Sequence, residues 1–400
     1  MTLYAPIGNY GNALQLYALY KLLTDYGFEV ERLRCPLIEI EVKPVTKIKN
    51  FLWRNIKRPV KLTLALAGVK KYRERLRRRF KPTPEEIEQE RIKALELEER
   101  RRRNQARKKV FDDFFTRYTG QEINSTYSKT LRSRASDWVK YKYIMAGSDP
   151  IWNKMIVKTA NALKFYYLFF AGRSQRINYA SSFGVISIEA EDKDISIHKQ
   201  GLSGFDKLSC REQAGCDLIK SLTGQQAQLV LDSTLLLSAE QWRRISRRPS
   251  YDIPEHYALA YFFSNNDYKK YSEIINQAAG NLEIIHIFNP DDFMHFITSP
   301  EEFIWLIDHA DYVFTYSFHG TAFAINFNKN FITFGKDSEG WFKNVFSRID
   351  SLLSSLGLSD RAYEHGMRIP EHEINYYAAN EKLNALREKS IKYLRECLKI

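Results

Sequence analysis

Apolar residues recur at three- and four-residue spacing through Asn12-Ala13-Leu14-Gln15-Leu16-Tyr17-Ala18-Leu19-Tyr20-Lys21-Leu22-Leu23, and Gly27 closes the run. That period predicts a helix with one apolar face. The pattern then switches to alternation in Phe28-Glu29-Val30-Glu31-Arg32-Leu33, which predicts a strand. Turn, helix and strand in that order open an α/β domain. The strand expected before Gly8 is short: Thr2-Leu3-Tyr4-Ala5 is all that is available, as if the chain began inside or just after it.

Beyond residue 136 the two periods alternate. Strands are predicted at 142–146, 176–180, 207–210 and 228–231. Each runs into small or polar residues: Gly147-Ser148-Asp149, Ser181-Ser182-Phe183-Gly184, Arg211-Glu212 and Asp232-Ser233-Thr234. Open parallel sheets place ligands at such carboxyl ends. Residues 238–256, with Arg247-Arg248-Pro249, read as a linker. A second series follows, with strands at 257–263, 283–288, 312–316 and 331–334. Helices are predicted near 267–280, 300–310, 320–328 and 341–356, and a last one at 371–397 is placed to return to the first domain. The expected fold class is α/β: two Rossmann-like open-sheet domains, 1–240 and 255–370, facing a cleft, with 371–400 packing back.

Residues 45–118 interrupt the first domain as a mostly helical insertion punctuated by Pro59, Pro82 and Pro84. From Glu85 to Phe115 it is rich in strong helix formers. Charge changes the picture here. Residues 70–109 hold 17 Lys/Arg against 8 Glu, a surplus of 9 within a chain total of +13. The segment reads either as a solvated helical hairpin or as a cationic surface for anionic lipid headgroups or a diphosphate-linked lipid. Nucleic acid is disfavoured, because only Tyr72 and Phe80 interrupt the basic run with rings for stacking. Cys35, Cys210, Cys216 and Cys397 form no C-x-x-C pair, which fits a reducing cytosol. No apolar run is long enough to cross a bilayer, and no signal-peptide pattern opens the chain. The expected location is the cytoplasm, at most peripheral to the inner face of the membrane.

The most informative stretch is Tyr312-Val313-Phe314-Thr315-Tyr316-Ser317-Phe318-His319-Gly320-Thr321. A strand stops at Ser317 and a helix begins at once. A helix start offers free N–H groups and a positive dipole end to an anion. His319 adds the side chain best suited to proton transfer near neutral pH. An anion cradle with an acid/base inside points to chemistry on a phosphorylated substrate.

Several segments, taken in order, resemble the polysaccharide pyruvyl transferase family. They are Asn9-Tyr10-Gly11-Asn12 with Leu14-Gln15 and Tyr17-Ala18-Leu19; Gly147-Ser148-Asp149 with Trp152-Asn153; Tyr179-Ala180-Ser181-Ser182-Phe183-Gly184; Cys210-Arg211-Glu212; Asp232-Ser233-Thr234-Leu235-Leu236-Leu237; Ser317-Phe318-His319-Gly320-Thr321; and Arg348 followed by Leu352-Leu353 and Leu356-Gly357-Leu358. The resemblance implies a fold similar to GT-B glycosyltransferases and phosphoenolpyruvate as donor. It implies a sugar of a cell-surface glycan or its lipid-linked precursor as acceptor, and a cyclic pyruvate ketal as product. Ser317 stands where another branch of the family has an arginine that helps hold the donor. Pro150, Ser233 and Tyr316 also depart from the usual residues.

With that chemistry in mind, His319 is the candidate acid/base. Ser317, Gly320 and Thr321 would cradle a donor oxyanion, although plain N-capping calls for the same residues. Arg211 suits bidentate phosphate or carboxylate binding, or an ion pair with Glu212 or a nearby acid. Lys336 and Arg348 are further candidate donor cations. Asn9, Asn12 and Gln15 offer amides to sugar hydroxyls or to loop closure. Asp149 could orient or deprotonate a hydroxyl, and Trp152 could stack on a sugar; a turn-forming Asp and a core Trp are the simpler alternatives. No clustered metal set stands out, so no metal or cofactor is expected. Two other functions fit the same features: a GT-B-like glycosyltransferase using a nucleotide sugar, and a non-catalytic protein that docks on membranes or glycans.

Overall fold

The computed structural model describes residues 8–34 and 84–400, apart from 155, 173–174, 186, 189–193, 290, 336–340 and 371. The short first strand before Gly8, residues 45–83 of the insertion, and Lys336 therefore lie outside the described residues. The chain forms two compact units, residues 1–37 with 106–400, and residues 38–105.

In the larger unit, helix α1 (Tyr10–Asp25) starts where the Asn9 side chain accepts the Asn12 N–H at 3.3 Å. It stops before Gly27, whose φ of +82° suits glycine. The alternating stretch that follows is a strand only at β1 (Arg32–Arg34), paired in parallel with β2 (Glu122–Asn124). Helix α2 (Pro84–Tyr118) lies between them in sequence. The other first-series strands are β3 (Ile144–Gly147), β4 (Arg176–Tyr179), β5 (Leu208–Cys210) and β6 (Ala227–Leu229). β3 pairs with β4 and β5 with β6, all parallel, and a bridge between Ser181 and Cys210 joins the two pairs. Helices α3 (Tyr127–Arg132), α4 (Ala160–Tyr166), α5 (Ile195–Leu202) and α6 (Gln213–Thr223) connect them.

The second series is one parallel sheet in the order β10-β9-β7-β8, from β7 (Tyr257–Tyr261), β8 (Glu283–Ile287), β9 (Tyr312–Thr315) and β10 (Asn330–Thr333). The chain steps from β7 to one side, then returns past β7 to β9. The strand order therefore reverses between β7 and β9, which is where open α/β sheets leave a crevice for ligands. Ser317 and His319 stand at that edge.

The stretch read as a linker is partly helical instead. Helix α7 (Ala239–Arg243) begins with a reciprocal Ser238–Gln241 cap. Its Trp242 is fully buried and donates its ring N–H to the Thr234 carbonyl at 3.0 Å. An indole with both a packed ring and a satisfied N–H stabilises folded chain, not open linker. Helices α8 (Asn265–Ala279), α9 (Phe293–Phe296), α10 (Pro300–His309), α11 (Phe318–Asn326) and α12 (Trp341–Leu356) complete the second series.

The last helix, α13 (Tyr376–Leu398), does reach the first-series strands. Tyr393 donates to the Asn178 carbonyl at 3.1 Å, and the Ser390 hydroxyl accepts the Leu231 N–H at 2.9 Å. Arg387 donates to the Leu235 carbonyl at 2.8 Å and to Asn326 on α11 at 3.3 Å. One helix is thus bonded to the carboxyl side of β6 and to α11.

A cavity of about 550 Å³ lies beside α1, between β1 and β3. Its walls include both sheet edges, aromatic residues such as Phe28, Tyr141 and Tyr143, and the polar residues Asn9, Asn12 and Gln15. Gly8 is at its rim. In the smaller unit, the described part of α2 carries i,i+4 and i,i+3 ion pairs such as Arg103–Glu99 at 2.9 Å. It leaves Ile87, Ile92, Leu95 and Leu97 about half exposed among charged side chains. Among the described residues no helix is long and apolar enough to cross a membrane.

Candidate active site

The polar residues at the carboxyl ends of β3, β5 and β6 converge on the starts of α1 and α11. The convergence begins with backbone shape. A Cβ on Gly147 would stand 1.8 Å from the Tyr179 carbonyl oxygen, so only glycine lets β3 end so close to β4. The next residue, Ser148, takes a left-handed φ of +67°. That turn aims the Ser148 carbonyl at two donors, Gln15 Nε2 and Arg211 Nη1. Non-glycine residues in this region store strain and gather at functional sites.

Asp232 is the hub. One carboxylate oxygen accepts Arg211 Nη1 at 2.7 Å and Gln15 Nε2 at 2.5 Å. The other accepts the Thr234 N–H at 3.0 Å and its hydroxyl at 2.8 Å. His319 Nε2 lies 3.8 Å from that second oxygen. Burial works against the charge on Asp232, but His319, Arg211 and the Thr234 N–H outweigh it and hold the carboxyl well below the usual range. Asp149 is the counterpart. It accepts the Asn12 amide and stands 3.7 Å from Arg211 Nη2. Burial pushes its pKa up; Arg211 and His319 pull against burial, and the nearby Asp232 charge adds to it.

Arg348 of α12 is buried, and its closest charges are Arg211, Glu212, Asp149 and Asp232. Burial first, then repulsion from Arg211, lowers its pKa to about 10. It stays a cation at neutral pH. The Arg211–Glu212 pair weighed from the sequence does not form. Glu212 instead accepts the Ser182 hydroxyl at 2.8 Å and the Phe183 N–H at 3.2 Å.

His319 packs on bare backbone. A Cβ on Gly11 would lie 2.0 Å from its Nδ1, so the first turn of α1 touches the imidazole only because residue 11 has no side chain. His319 is 8% exposed, and its Nε2 makes no hydrogen bond. Nor do Arg211 Nε and Nη2, or Gln15 Oε1, though all are buried. Buried polar atoms left without partners are uncommon in folded proteins. Three donors around one carboxylate hub, on Arg211 and His319, are thus left unpaired in this cluster.

Not every expected residue belongs to that cluster. The Ser317 hydroxyl caps α11 by accepting the Gly320 N–H at 3.4 Å. The Thr321 hydroxyl donates to the Ser317 carbonyl, and it stands 3.1 Å from the Thr333 hydroxyl. These groups are engaged in capping, the simpler of the two sequence readings. Asn9 caps α1. Trp152 is 1% exposed and stacked on Tyr167 at 5.2 Å, a core position rather than an open sugar platform. Asn12, Gln15, Asp149, Arg211, Arg348 and His319 do come together. The sequence reading missed Asp232, Ser148 and Gly11. The signal for Asp232 was its place at a strand's carboxyl end, shared with Asp149 and Arg211.

Among the described residues no His, Cys, Asp and Glu cluster is suited to hold a metal ion. What remains is a histidine, two arginines and two carboxylates of opposite proton affinity, all buried. That set can protonate, deprotonate and stabilise an anion. No curated protein is similar enough to the chain to add to this picture. The family model for polysaccharide pyruvyl transferase matches residues 9–338, which include every residue of the cluster except Arg348. The chain therefore belongs to the polysaccharide pyruvyl transferase family, and it is a transferase.

Proposed function

We propose that the enzyme transfers pyruvate from phosphoenolpyruvate to two hydroxyls of one sugar in a cell-surface glycan, or in its lipid-linked precursor, and leaves a cyclic ketal. The observation that carries this reading is the buried set of orphan donors on Arg211 and His319. Protonation of the methylene carbon makes the carbon that bears the phosphate electrophilic. A sugar hydroxyl adds there, phosphate departs, and the second hydroxyl closes the ring. Of the two hydroxyl protons, one balances the new methyl group and the other leaves with phosphate.

In this reading His319 delivers the proton, and Asp232 orients and stabilises its imidazolium form. Arg211 and Arg348 offset the charge of phosphate and carboxylate. Asp149, with its raised proton affinity, accepts a hydroxyl proton more readily than an ordinary aspartate. Ser317, Gly320 and Thr321 hold the helix start that fixes His319. Asn9, Asn12 and Gln15 border the acceptor side. A GT-B-like arrangement, with residues 1–240 serving the acceptor and 255–370 the donor, belongs to the same reading.

Purified protein with phosphoenolpyruvate and a glycan acceptor should release phosphate and add the mass of a pyruvate ketal. Phosphoenolpyruvate alone should also raise the melting temperature, by an amount set by ligand concentration over Kd. Stabilisation by nucleoside diphosphates and not by phosphoenolpyruvate would replace this reading with nucleotide-sugar transfer.

The basic helix suggests where the reaction takes place. Exposed Arg100, Arg101 and Arg102 next to half-exposed Leu95 and Leu97 suit a surface of anionic headgroups. Such docking would put the enzyme at the inner membrane face beside a lipid-linked acceptor. The protein should sediment with phosphatidylglycerol vesicles at low salt, and Arg100→Gln/Arg101→Gln/Arg102→Gln should lose most of that binding. Equal recovery of both proteins with the vesicles would end the idea.

A further inference from the structure

Arg107 stands on α2, within the larger unit, and is fully buried. Nη1 donates to the Phe296 carbonyl and lies 3.4 Å from the Tyr10 hydroxyl. Nε and Nη2 make no hydrogen bond. Four rings surround the guanidinium, those of Phe288 at 4.3 Å, Tyr10 at 4.8 Å, Phe111 at 4.9 Å and Phe296 at 5.3 Å. No ion pair to Arg107 occurs among the described residues. Ring faces attract a cation and offset part of its desolvation. They do not accept its N–H groups, and a buried cation ordinarily keeps a counter-anion.

A second orphan lies close by. Tyr261, the last residue of β7, is fully buried, and its hydroxyl makes no hydrogen bond. Its ring is 5.5 Å from that of Tyr10, the ring Arg107 also covers. Arg107 and Ser317 are among its closest polar neighbours. The carboxyl ends of β7 and β9 flank the crevice where the strand order reverses. Phe263 touches the rings of both Tyr261 and Phe288 and is 39% exposed, so one ring of this cluster reaches solvent.

Two guanidinium nitrogens and a hydroxyl without partners, on a buried cation with no counter-ion among the described residues and on the tyrosine beside it, call for an oxyanion. We propose that Arg107 and Tyr261 form a buried oxyanion subsite at the crevice between β7 and β9, which takes the carboxylate or the phosphate of a small acidic ligand. The assignment of that ligand as the transferase's donor rests on the function proposed above; the subsite itself does not. With phosphoenolpyruvate bound, Arg107 would hold one acidic group while Arg211 holds the other.

The test is calorimetric titration of wild type, Arg107→Gln, Tyr261→Phe and Arg211→Gln with inorganic phosphate, with pyruvate and with phosphoenolpyruvate, alongside steady-state kinetics. Loss of charge-assisted hydrogen bonds should weaken binding to Arg107→Gln by about 10- to 150-fold, and Tyr261→Phe should lose several-fold. A loss confined to pyruvate assigns the subsite to carboxylate, and a loss confined to phosphate assigns it to phosphate. Tyr261→Phe removes a single hydroxyl and carries the test should Arg107→Gln not fold. If both variants bind all three anions as wild type does and keep its KM, Arg107 is only an aromatic-caged strut, and the proposal fails while pyruvyl transfer stands. If anion binding depends on Arg107 but no ketal forms from phosphoenolpyruvate, the functional reading fails and the subsite stands.

Discussion

His319→Ala should slow ketal formation from phosphoenolpyruvate by about 10²–10⁴-fold, the usual contribution of a positioned acid/base. The substitution takes His319 from buried Asp232, but that carboxylate keeps Arg211, Gln15 and Thr234, so the fold should survive. Gly11→Ala tests the same group from the opposite side. Its Cβ would fall 2.0 Å from His319 Nδ1, and one of the two must move. Overpacking of this kind costs about 1–3 kcal/mol, while a displaced imidazole loses catalysis out of proportion to that cost. Phosphate release and product mass, measured on both variants at matched melting temperature, check the pair. A His319→Ala enzyme that works at the wild-type rate on a true acceptor would remove His319 from the mechanism.

Asp232→Ala should be the most destabilising single change in the cluster, by about 3–5 kcal/mol, because it strands Arg211 as a buried charge without its closest counter-ion. It also takes the acceptor from Gln15 and Thr234. Urea unfolding measures the loss. Its pH dependence identifies the cause. The folded pKa of Asp232 lies below its unfolded value, so its contribution is complete above about pH 4 and is lost as pH falls toward the folded value. Asp149 runs the other way. Its folded pKa is raised, so its share favours the folded state at low pH and fades as pH rises. Wild type should therefore lose stability on acidification more steeply than Asp232→Ala. Equal denaturation midpoints at neutral pH would show that Arg211 does not depend on this carboxylate.

The regular elements were legible because their periods are local. The helix from Asn12 to Leu23 extends by two residues at each end in the structure, and the strand boundaries of the second series shift by no more than two residues. The short alternation after Gly27 was less informative, since a run flanked by both signs of charge pairs only where a neighbour is present. The site was legible as a set of strand ends but not as a set of contacts. Arg211 and Glu212 are adjacent, and successive side chains at a strand end turn to opposite sides. That is why one meets Asp232 and the other Ser182, which adjacency alone had suggested less well. Arg107 hid among the seventeen Lys/Arg of residues 70–109. Its clue was the stripe Arg107, Val110, Phe111, Phe114, Phe115 and Tyr118, which puts it on the apolar side of the helix. Trp152 shows the limit: an indole after a strand reads alike as platform or as core, and only its neighbours decide.

The contact between Gly11 and His319 has a consequence for how such chains can change. A glycine at a helix start is usually replaceable, and natural variation would be expected to drift there. Here the space above Gly11 is occupied by the imidazole, so the two positions are free to vary only together. In any descendant of this sequence, a larger residue at position 11 would mark a lineage in which the histidine had already moved or been lost. That glycine, silent in every chemical inventory, is then a sequence marker for whether the imidazole has kept its place.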